Sequence, residues 1–172
     1  MMINCILDFR NQIKNENRDC NLKLETLFSI HEGINKKRNY NGNILIEADR
    51  NRLYQVVSNL LNNAIKFTKE GTISVNVMMK KRRKEKENNH KEITISISDT
   101  GPGIDPEIFP RLFSKFSTKS ETGGTGLGLY ISKSIIEAHG GKMWAENNNH
   151  NNNNLTGVEK RGTTITFTLP NR

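Results

Sequence analysis

The sequence predicts a mixed α/β fold in which helices are stacked on one face of a mixed, largely antiparallel sheet. Helical and strand-like periodicities interleave along the 172 residues, a pattern typical of α/β chains. The strand-like segments 72–77 and 91–98 are separated only by a basic turn, so they should pair as an antiparallel hairpin. Because a doubly wound parallel sheet does not contain such a hairpin, we expect the helices on one face only.

Composition indicates one soluble domain over 1–172, because this length suits a single core and only 34% of the residues are hydrophobic. No apolar stretch approaches the roughly 18 residues that a membrane span requires, and Asp8 comes too early for a secretory signal. Cys5 and Cys20 form neither a disulfide framework nor a metal spacing. We therefore expect free thiols and a cytoplasmic location, with a membrane anchor only in a longer parent protein.

The net charge of +8 is concentrated in the run 80–86, which separates two predicted strands. The ordinary interpretation is a solvated hairpin loop over 80–90. Such a run could attract nucleic acid or an anionic membrane, but no aromatic residue is interleaved with it for base stacking. We therefore expect no nucleic-acid partner and no direct membrane insertion.

The remaining elements follow from local patterns. Asp49 is a candidate N-cap for the long helix that follows it, and Gly71 should end that helix. The asparagine tract 147–154 is predicted to be a low-complexity loop without a role. Helical spacing is found at 4–13, 50–67 and 129–139, a short helix or turns at 106–116, and strand patterns at 21–28, 72–77, 91–98, 142–146 and 162–170.

The helix over 50–67 carries a broad apolar stripe and, on a different face, Asn59, Asn63 and Lys66 at spacings of four and three residues. Asparagine is a poor helix former, so something should compensate for these residues. An amide oxygen can ligate Mg²⁺, and a lysine one turn away can meet phosphate oxygens. The alternative is a polar surface whose asparagines have no role.

An aspartate and glycine corner follows the predicted strand 91–98. The Asp99 carboxylate accepts hydrogen bonds and donates none, so it can recognise an exocyclic amino group such as that of adenine. Gly101 and Gly103 permit positive φ and the close approach of a flat ligand. Taken alone, this pattern is also that of a common tight turn.

A glycine cluster at 123–129 opens the helix 129–139, and free N–H groups at a helix start attract phosphate. With the polar segment 114–121 it forms a stretch suited to a lid over a bound ligand. The segment before it carries Phe109, Phe113 and Phe116, which we expect to join the core; docking of a mobile segment is the alternative.

The asparagine helix, the aspartate and glycine corner, the phenylalanine segment and the glycine cluster occur in this order along the chain. Together they closely resemble the catalytic, ATP-binding domain of two-component sensor histidine kinases, which shares its superfamily with gyrase, heat-shock chaperone and mismatch-repair ATPases. The resemblance covers nearly the whole chain. It is carried by NLLNNAIKFT at 59–68, DTGPGI at 99–104, FSKF at 113–116, GTGLGL at 124–129, EAHGG at 137–141, Gly162-Thr163 and Leu169-Pro170.

The resemblance implies a two-layer α/β sandwich with a glycine-rich ATP lid. It implies that Asn59 and Asn63 hold Mg²⁺ and the triphosphate and that Lys66 meets phosphate, which makes Asn59 and Lys66 the candidate catalytic residues. It also implies ATP contacts in the adenine pocket and the lid from Asp99, Gly101, Gly103, Gly124, Thr125, Gly126, Leu127, Gly128 and Thr163.

One part of the family pattern is missing. The sequence shows no dimerisation hairpin with a phosphoacceptor histidine, and no receiver or sensor domain; His31-Glu32 is only a weak imitation of the acceptor. We therefore expect transfer of the ATP γ-phosphoryl group to a histidine on a separate dimerisation domain or partner kinase chain, with a response regulator downstream.

Two alternatives share the predicted fold: a serine or threonine kinase of the anti-sigma type, and a non-catalytic ATP-binding or interaction module. A gyrase-like ATPase is disfavoured, because those enzymes use a glutamate to activate water where Asn59 stands.

Overall fold

The computed structural model describes residues 22–31, 37–39, 48–81, 91–117, 124–149 and 161–171. These residues form two α-helices, a 3-10 turn and six strands. In chain order the elements are β1 (Leu22–His31), β2 (Lys37–Asn39), α1 (Arg50–Phe67), β3 (Gly71–Lys81), β4 (Lys91–Asp99), the 3-10 turn Phe109–Arg111, α2 (Gly128–Ala138), β5 (Met143–Asn149) and β6 (Arg161–Asn171).

The six strands form one sheet in the order β2-β1-β3-β4-β6-β5. Only the β1–β3 pair is parallel, and the other neighbours are antiparallel. The parallel pair requires a crossover, and α1 lies between these two strands in the chain. The mixed, largely antiparallel sheet predicted from the sequence is therefore confirmed.

One face of the sheet forms the core together with the two helices. The strict alternation of β3, β4 and β6 aligns apolar side chains across the sheet, as in the pairs Ile97–Ile165 and Ile95–Phe167. The opposite face is polar, with Ser96 and Thr166 hydrogen-bonded at 3.0 Å. The buried apolar side chains are Ile73, Val75, Val77, Met79, Ile93, Ile95, Ile97, Met143, Ile165, Phe167 and Leu169 from the sheet, and Leu53, Val56, Val57, Leu60, Leu61, Ala64, Ile135 and Ile136 from the helices.

The start of α1 and the end of α2 are joined. Asp49 caps α1, as predicted, and its carboxylate accepts from the N–H groups of Asn51 and Arg52 at 2.9 and 3.1 Å. The backbone hydrogen bond from Arg52 is the largest influence on the Asp49 carboxyl, and with the bond from Asn51 it holds the pKa of Asp49 below its usual value. The backbone N–H of Asp49 donates to Nε2 of His139, while Nδ1 lies 2.7 Å from the Ile135 carbonyl, so the His139 ring bridges the two helix ends.

Several predictions need correction. The loop boundaries 80–90 and 147–154 were too wide, because β3 continues to Lys81 and β5 to Asn149. The three phenylalanines of 106–116 are expected in the core, and this holds in part for Phe113, which is half-buried against it. The prediction is wrong for Phe109 and Phe116, which are 39% and 70% exposed. The predicted helix 4–13, both cysteines, and the stretches 82–90 and 150–154 lie outside the described residues.

Neither helix of the described ranges combines the length and the apolar character that crossing a bilayer requires.

Candidate functional site

Asp99 ends β4 and is almost fully buried, with 9% of its surface exposed. Its Oδ1 accepts from the N–H of Gly101 at 2.8 Å and from the N–H of Thr163 at 3.3 Å. Desolvation raises the pKa of Asp99 above its usual 3.8, and the two backbone donors oppose that rise. Both backbone donors use the same carboxylate oxygen, Oδ1.

The backbone packs closely around this carboxylate, which explains the glycines beside it. A Cβ at Gly162 would approach the Asp99 carbonyl oxygen at 2.0 Å, and one at Gly101 would lie 2.9 Å from Asp99 Oδ1. The structure thus places Asp99, Gly101 and Thr163 together. Gly162, noted in the sequence only as part of a motif, is also required for this packing.

Asn59 lies where α1 meets the first turn of α2. Its Nδ2 donates to the buried Ser132 hydroxyl at 3.0 Å. On the other side of the amide, a Cβ at Gly128 would lie 2.2 Å from Asn59 Oδ1. Gly128 is the first residue of α2 and not part of the loop before it. The asparagine helix and the end of the glycine cluster therefore meet, although they are far apart in sequence.

Lys66 approaches the glycine cluster from the other end of α1. A Cβ built on Gly124 would lie 3.4 Å from Lys66 Nζ, and the same ammonium is 5.4 Å from the centroid of the Phe67 ring. Asn63 lies between Asn59 and Lys66 in α1 and is half-buried. The Asn59 amide and the Lys66 ammonium thus lie beside two glycines of the cluster, and helical spacing places Asn63 on the same side of α1.

The glycine segment is described over 124–127, and 118–123 lie outside the described residues. Thr125 Oγ1 accepts from the N–H of Leu127 at 3.4 Å. Gly126 has φ +64°, and a Cβ on it would lie 2.7 Å from the carbonyl carbon of Phe116. Phe116 itself has φ +61°, a conformation rare for a residue with a side chain. The two backbone segments that flank 118–123 are therefore in direct contact.

Two cation–π contacts, which sequence reasoning missed, join the phenylalanine segment to α2. Lys115 Nζ lies 5.1 Å from the Tyr130 ring centroid, and Lys133 Nζ lies 5.2 Å from that of Phe113. Each element contributes one cation and one ring. No spacing within either segment could reveal this pairing, because it depends on how the two segments pack.

A cleft of about 440 Å³ opens between α1 and α2 beside Asn59. Tyr54 at its edge is 47% exposed. The hydroxyl of Ser58 is buried there with no hydrogen-bond partner among the described residues. The cleft is lined by Tyr54, Gln55, Ser58, Asn59, Asn62, Gly128, Ile131 and Ser132.

The donor set at the site fits a nucleotide-bound cation better than a metal held by the protein alone. No group of three or more His, Cys, Asp or Glu side chains within the described ranges is placed to hold a metal ion. The amide oxygens of Asn59 and Asn63 are hard ligands that suit Mg²⁺, and Mg²⁺ is commonly bound through few protein ligands and substrate phosphates. In this structure the Asn59 oxygen lies against Gly128, the first residue of α2.

The chain is similar to known proteins in both sequence and structure. A family model described as "Histidine kinase-, DNA gyrase B-, and HSP90-like ATPase" matches residues 48–172. The sensor histidine kinase WalK of Bacillus subtilis is 35% identical over 136 residues, which are 74% of this chain and 19% of that protein. The sensor protein FixL of Bradyrhizobium diazoefficiens is 38% identical over 131 residues, 73% of this chain and 22% of that protein.

Among solved structures, the catalytic domain of the histidine kinase ThkA is similar, with a TM-score of 0.65 and 27% identity. The match covers 99% of this chain and 94% of that domain. The chain thus spans about one fifth of the length of the two sensor proteins but nearly the whole of an isolated catalytic domain.

Proposed function

The chain belongs to the histidine kinase-, DNA gyrase B-, and HSP90-like ATPase family, and we propose that it is the Mg-ATP-binding catalytic domain of a two-component histidine kinase. It would transfer the ATP γ-phosphoryl group to a histidine on a separate dimerisation hairpin or partner chain. The observation that carries the proposal is the meeting of Asn59 with Gly128 and of Lys66 with Gly124, together with the buried Asp99 carboxylate at the end of β4.

Asp99 would select the purine. Its Oδ1 is occupied by backbone donors, so Oδ2 would accept from the adenine amino group. The ionised carboxylate is only an acceptor, and a guanine carbonyl at the same position would be repelled. Gly101 and Gly103 would let the base approach the backbone, and Thr163 holds the carboxylate in place.

The triphosphate would lie between α1 and the glycine segment. Asn59 and Asn63 would hold Mg²⁺, which neutralises phosphate charge when bound, and Lys66 would meet a phosphate oxygen. Backbone N–H groups around Gly124, Thr125, Gly126 and Leu127 would face the phosphates, as free amides near a helix start commonly do. The chain's contribution to catalysis would therefore be positioning and electrostatic stabilisation.

The phosphoacceptor would come from the partner. An imidazole nitrogen attacks the γ-phosphorus, the bond to the β,γ-bridging oxygen breaks, ADP leaves, and a partner group takes the imidazole proton. The cleft between α1 and α2 supports this arrangement, because it opens beside Asn59 and carries the exposed Tyr54 ring at its edge. A response regulator would then receive the phosphoryl group, and we expect these events on the cytoplasmic side.

Radiolabelled ATP and a supplied histidine-bearing dimerisation hairpin test the proposal. We expect Mg²⁺-dependent label on the hairpin that is lost in acid, and its loss in Asn59→Ala. Label on a hairpin whose histidine has been replaced would contradict it, as would ATP binding without any transfer to a panel of hairpins.

The same assay separates the alternatives. Phosphoserine survives acid, so acid-stable label would favour the anti-sigma type of kinase. A non-catalytic interaction module would keep its partner after Asp99→Asn, whereas a nucleotide-dependent enzyme would lose ATP binding and transfer together.

A further inference from the structure

We propose that Ser132 is a positioning residue for Asn59, holding its side-chain amide so that the carbonyl oxygen faces the nucleotide-bound cation. This inference rests on the proposed function and adds a residue that none of the sequence motifs assigns. Ser132 lies four residues after Gly128, in the buried face of α2, and is 1% exposed. Its hydroxyl oxygen accepts a hydrogen bond from Asn59 Nδ2 at 3.0 Å.

The two ends of an asparagine amide are not equivalent. The oxygen can ligate a cation, whereas the NH₂ group carries two donors and would repel it. A rotation of half a turn about the last side-chain bond would exchange the two ends. A metal-binding Asn59 therefore needs neighbours that distinguish its oxygen from its nitrogen.

Ser132 and the start of α2 together provide that distinction. A serine hydroxyl can donate or accept, so Ser132 alone would tolerate either end of the amide. The other end lies against Gly128, where the first turn of α2 carries partial positive charge and favours an oxygen. With Oδ1 directed there, Nδ2 remains for Ser132, and the bond at 3.0 Å fixes the amide plane.

The glycine at 128 is part of the same arrangement. A Cβ there would lie 2.2 Å from Asn59 Oδ1 and 3.0 Å from Nδ2, so any larger residue would push the amide off Ser132. The amide is thus held by a hydroxyl on one side and by a residue without a side chain on the other. Both contacts come from α2, which is anchored in the core by Ile135 and Ile136.

Ser132→Ala would remove the acceptor and leave the Asn59 amide free to rotate. One lost hydrogen bond corresponds to about a three- to tenfold effect on the metal-dependent step. Recognition of the base at Asp99 does not involve this bond, so ATP binding without metal should not change. If Ser132 had only a structural role, its replacement would instead weaken ATP binding both with and without Mg²⁺.

The experiment measures binding of an unhydrolysable ATP analogue by calorimetry, in EDTA and across a Mg²⁺ titration. We expect Ser132→Ala to raise the half-saturating Mg²⁺ concentration about three- to tenfold and to leave the affinity in EDTA unchanged. Ser134→Ala is the matched control, because that exposed hydroxyl of α2 bonds only the Tyr130 carbonyl among the described residues. It should match the wild type.

A double variant completes the design. In an Asn59→Ala background, Ser132→Ala should cause no further change in Mg²⁺ dependence, because the positioned group is gone. Thermal unfolding of each variant checks that it is folded.

The outcomes separate the inference from the proposed function. If Asn59→Ala weakens Mg²⁺-dependent binding but Ser132→Ala matches the wild type, the positioning role is overturned and the function stands. The positioning role is also overturned if Ser132→Ala loses the same affinity for the ATP analogue in EDTA as in Mg²⁺, or if the two substitutions have additive effects on Mg²⁺ dependence in the double variant. If Asn59→Ala leaves Mg²⁺ dependence intact, the metal role of Asn59 and this inference fall together.

Discussion

The side-chain amide of Asn147 binds both backbone groups of Ile104, accepting from its N–H at 2.7 Å and donating to its carbonyl at 2.9 Å. Ile104 ends the corner that begins at Asp99, and Asn147 is the sheet partner of Thr163, whose N–H donates to Asp99. The glycine corner is therefore held at both ends: at Gly101 by the carboxylate and at Ile104 by the amide.

Replacing Asn147 by Ala should loosen the far end of this corner. Two hydrogen bonds would be lost, each contributing about 0.5 to 1.5 kcal/mol, so we expect the free energy of unfolding to fall by about 1 to 3 kcal/mol, the melting temperature to decrease and ATP to bind more weakly. Calorimetric titration with ATP and thermal unfolding measure the two effects. The exposed neighbour Glu146, replaced by Ala, is the control. Wild-type ATP affinity in Asn147→Ala would show that the amide does not shape the site.

Replacing Asp99 by Asn should separate purine recognition from stability. The amide keeps an oxygen for Gly101 and Thr163 but presents donors to the adenine amino group. Loss of a hydrogen bond to a charged group is worth about 1.5 to 3 kcal/mol, so ATP affinity should fall roughly ten- to a hundredfold. Titration at neutral pH measures it. Unchanged affinity would remove Asp99 from the adenine pocket.

The pH dependence of stability should distinguish Asp99 from Asp49. Burial raises the pKa of Asp99, so its contribution to stability is fully present below 3.8 and is lost as pH rises through the raised value. As the pH rises through this range the wild type loses stability, so Asp99→Asn should become more stable relative to the wild type. The lowered pKa of Asp49 gives the opposite sign, a contribution lost as pH falls, so Asp49→Asn is the matched control. Melting temperatures across an acid-to-neutral series measure both, and equal trends would contradict the assignment.

Local patterns were sufficient for the elements of the fold. The alternation in β3, β4 and β6 and the three- and four-residue spacing in α1 each identify a buried face without knowledge of the neighbours. The position of Asn59, Asn63 and Lys66 on one side of α1 also follows from helical spacing. These are properties of a single segment, which is why the sequence predicts them.

The errors concern packing between segments. The run of asparagines predicts a low-complexity loop at Asn147, yet this residue belongs to β5 and binds Ile104, a contact that composition cannot indicate. The aromatic character of Phe116 predicts a core position, but the residue has a positive φ, its backbone lies against Gly126 and its ring is exposed. The Ser132 contact with Asn59 depends on how α1 and α2 cross, and the sequence does not specify this.

The reciprocal cation–π contacts should contribute separately to stability. Lys115→Gln and Lys133→Gln each remove one contact with a ring, worth about 0.5 to 1 kcal/mol at an exposed site, and Lys133→Gln also removes the ion pair with Glu137 at 3.8 Å. The double variant should lose more stability than either single variant, because both contacts join the same segment to α2. Free energies of unfolding in denaturant measure them, with the exposed Lys69→Gln as control. Values equal to that control would show that the contacts do not hold the segment on α2.

Gly126→Ala and Gly124→Ala should differ sharply, although both glycines belong to the same motif. The backbone at Gly126 has φ +64°, which disfavours a residue with a side chain. An added Cβ would also lie 2.7 Å from the Phe116 carbonyl carbon, so the backbone must shift. The conformation alone costs about 1 to 2 kcal/mol. At Gly124 the nearest atom is the flexible Lys66 ammonium at 3.4 Å. We therefore expect lower stability and weaker ATP binding in Gly126→Ala, and a small change in Gly124→Ala. Thermal unfolding and ATP titration measure both, and similar losses in the two variants would indicate that contact with Phe116 does not shape the segment.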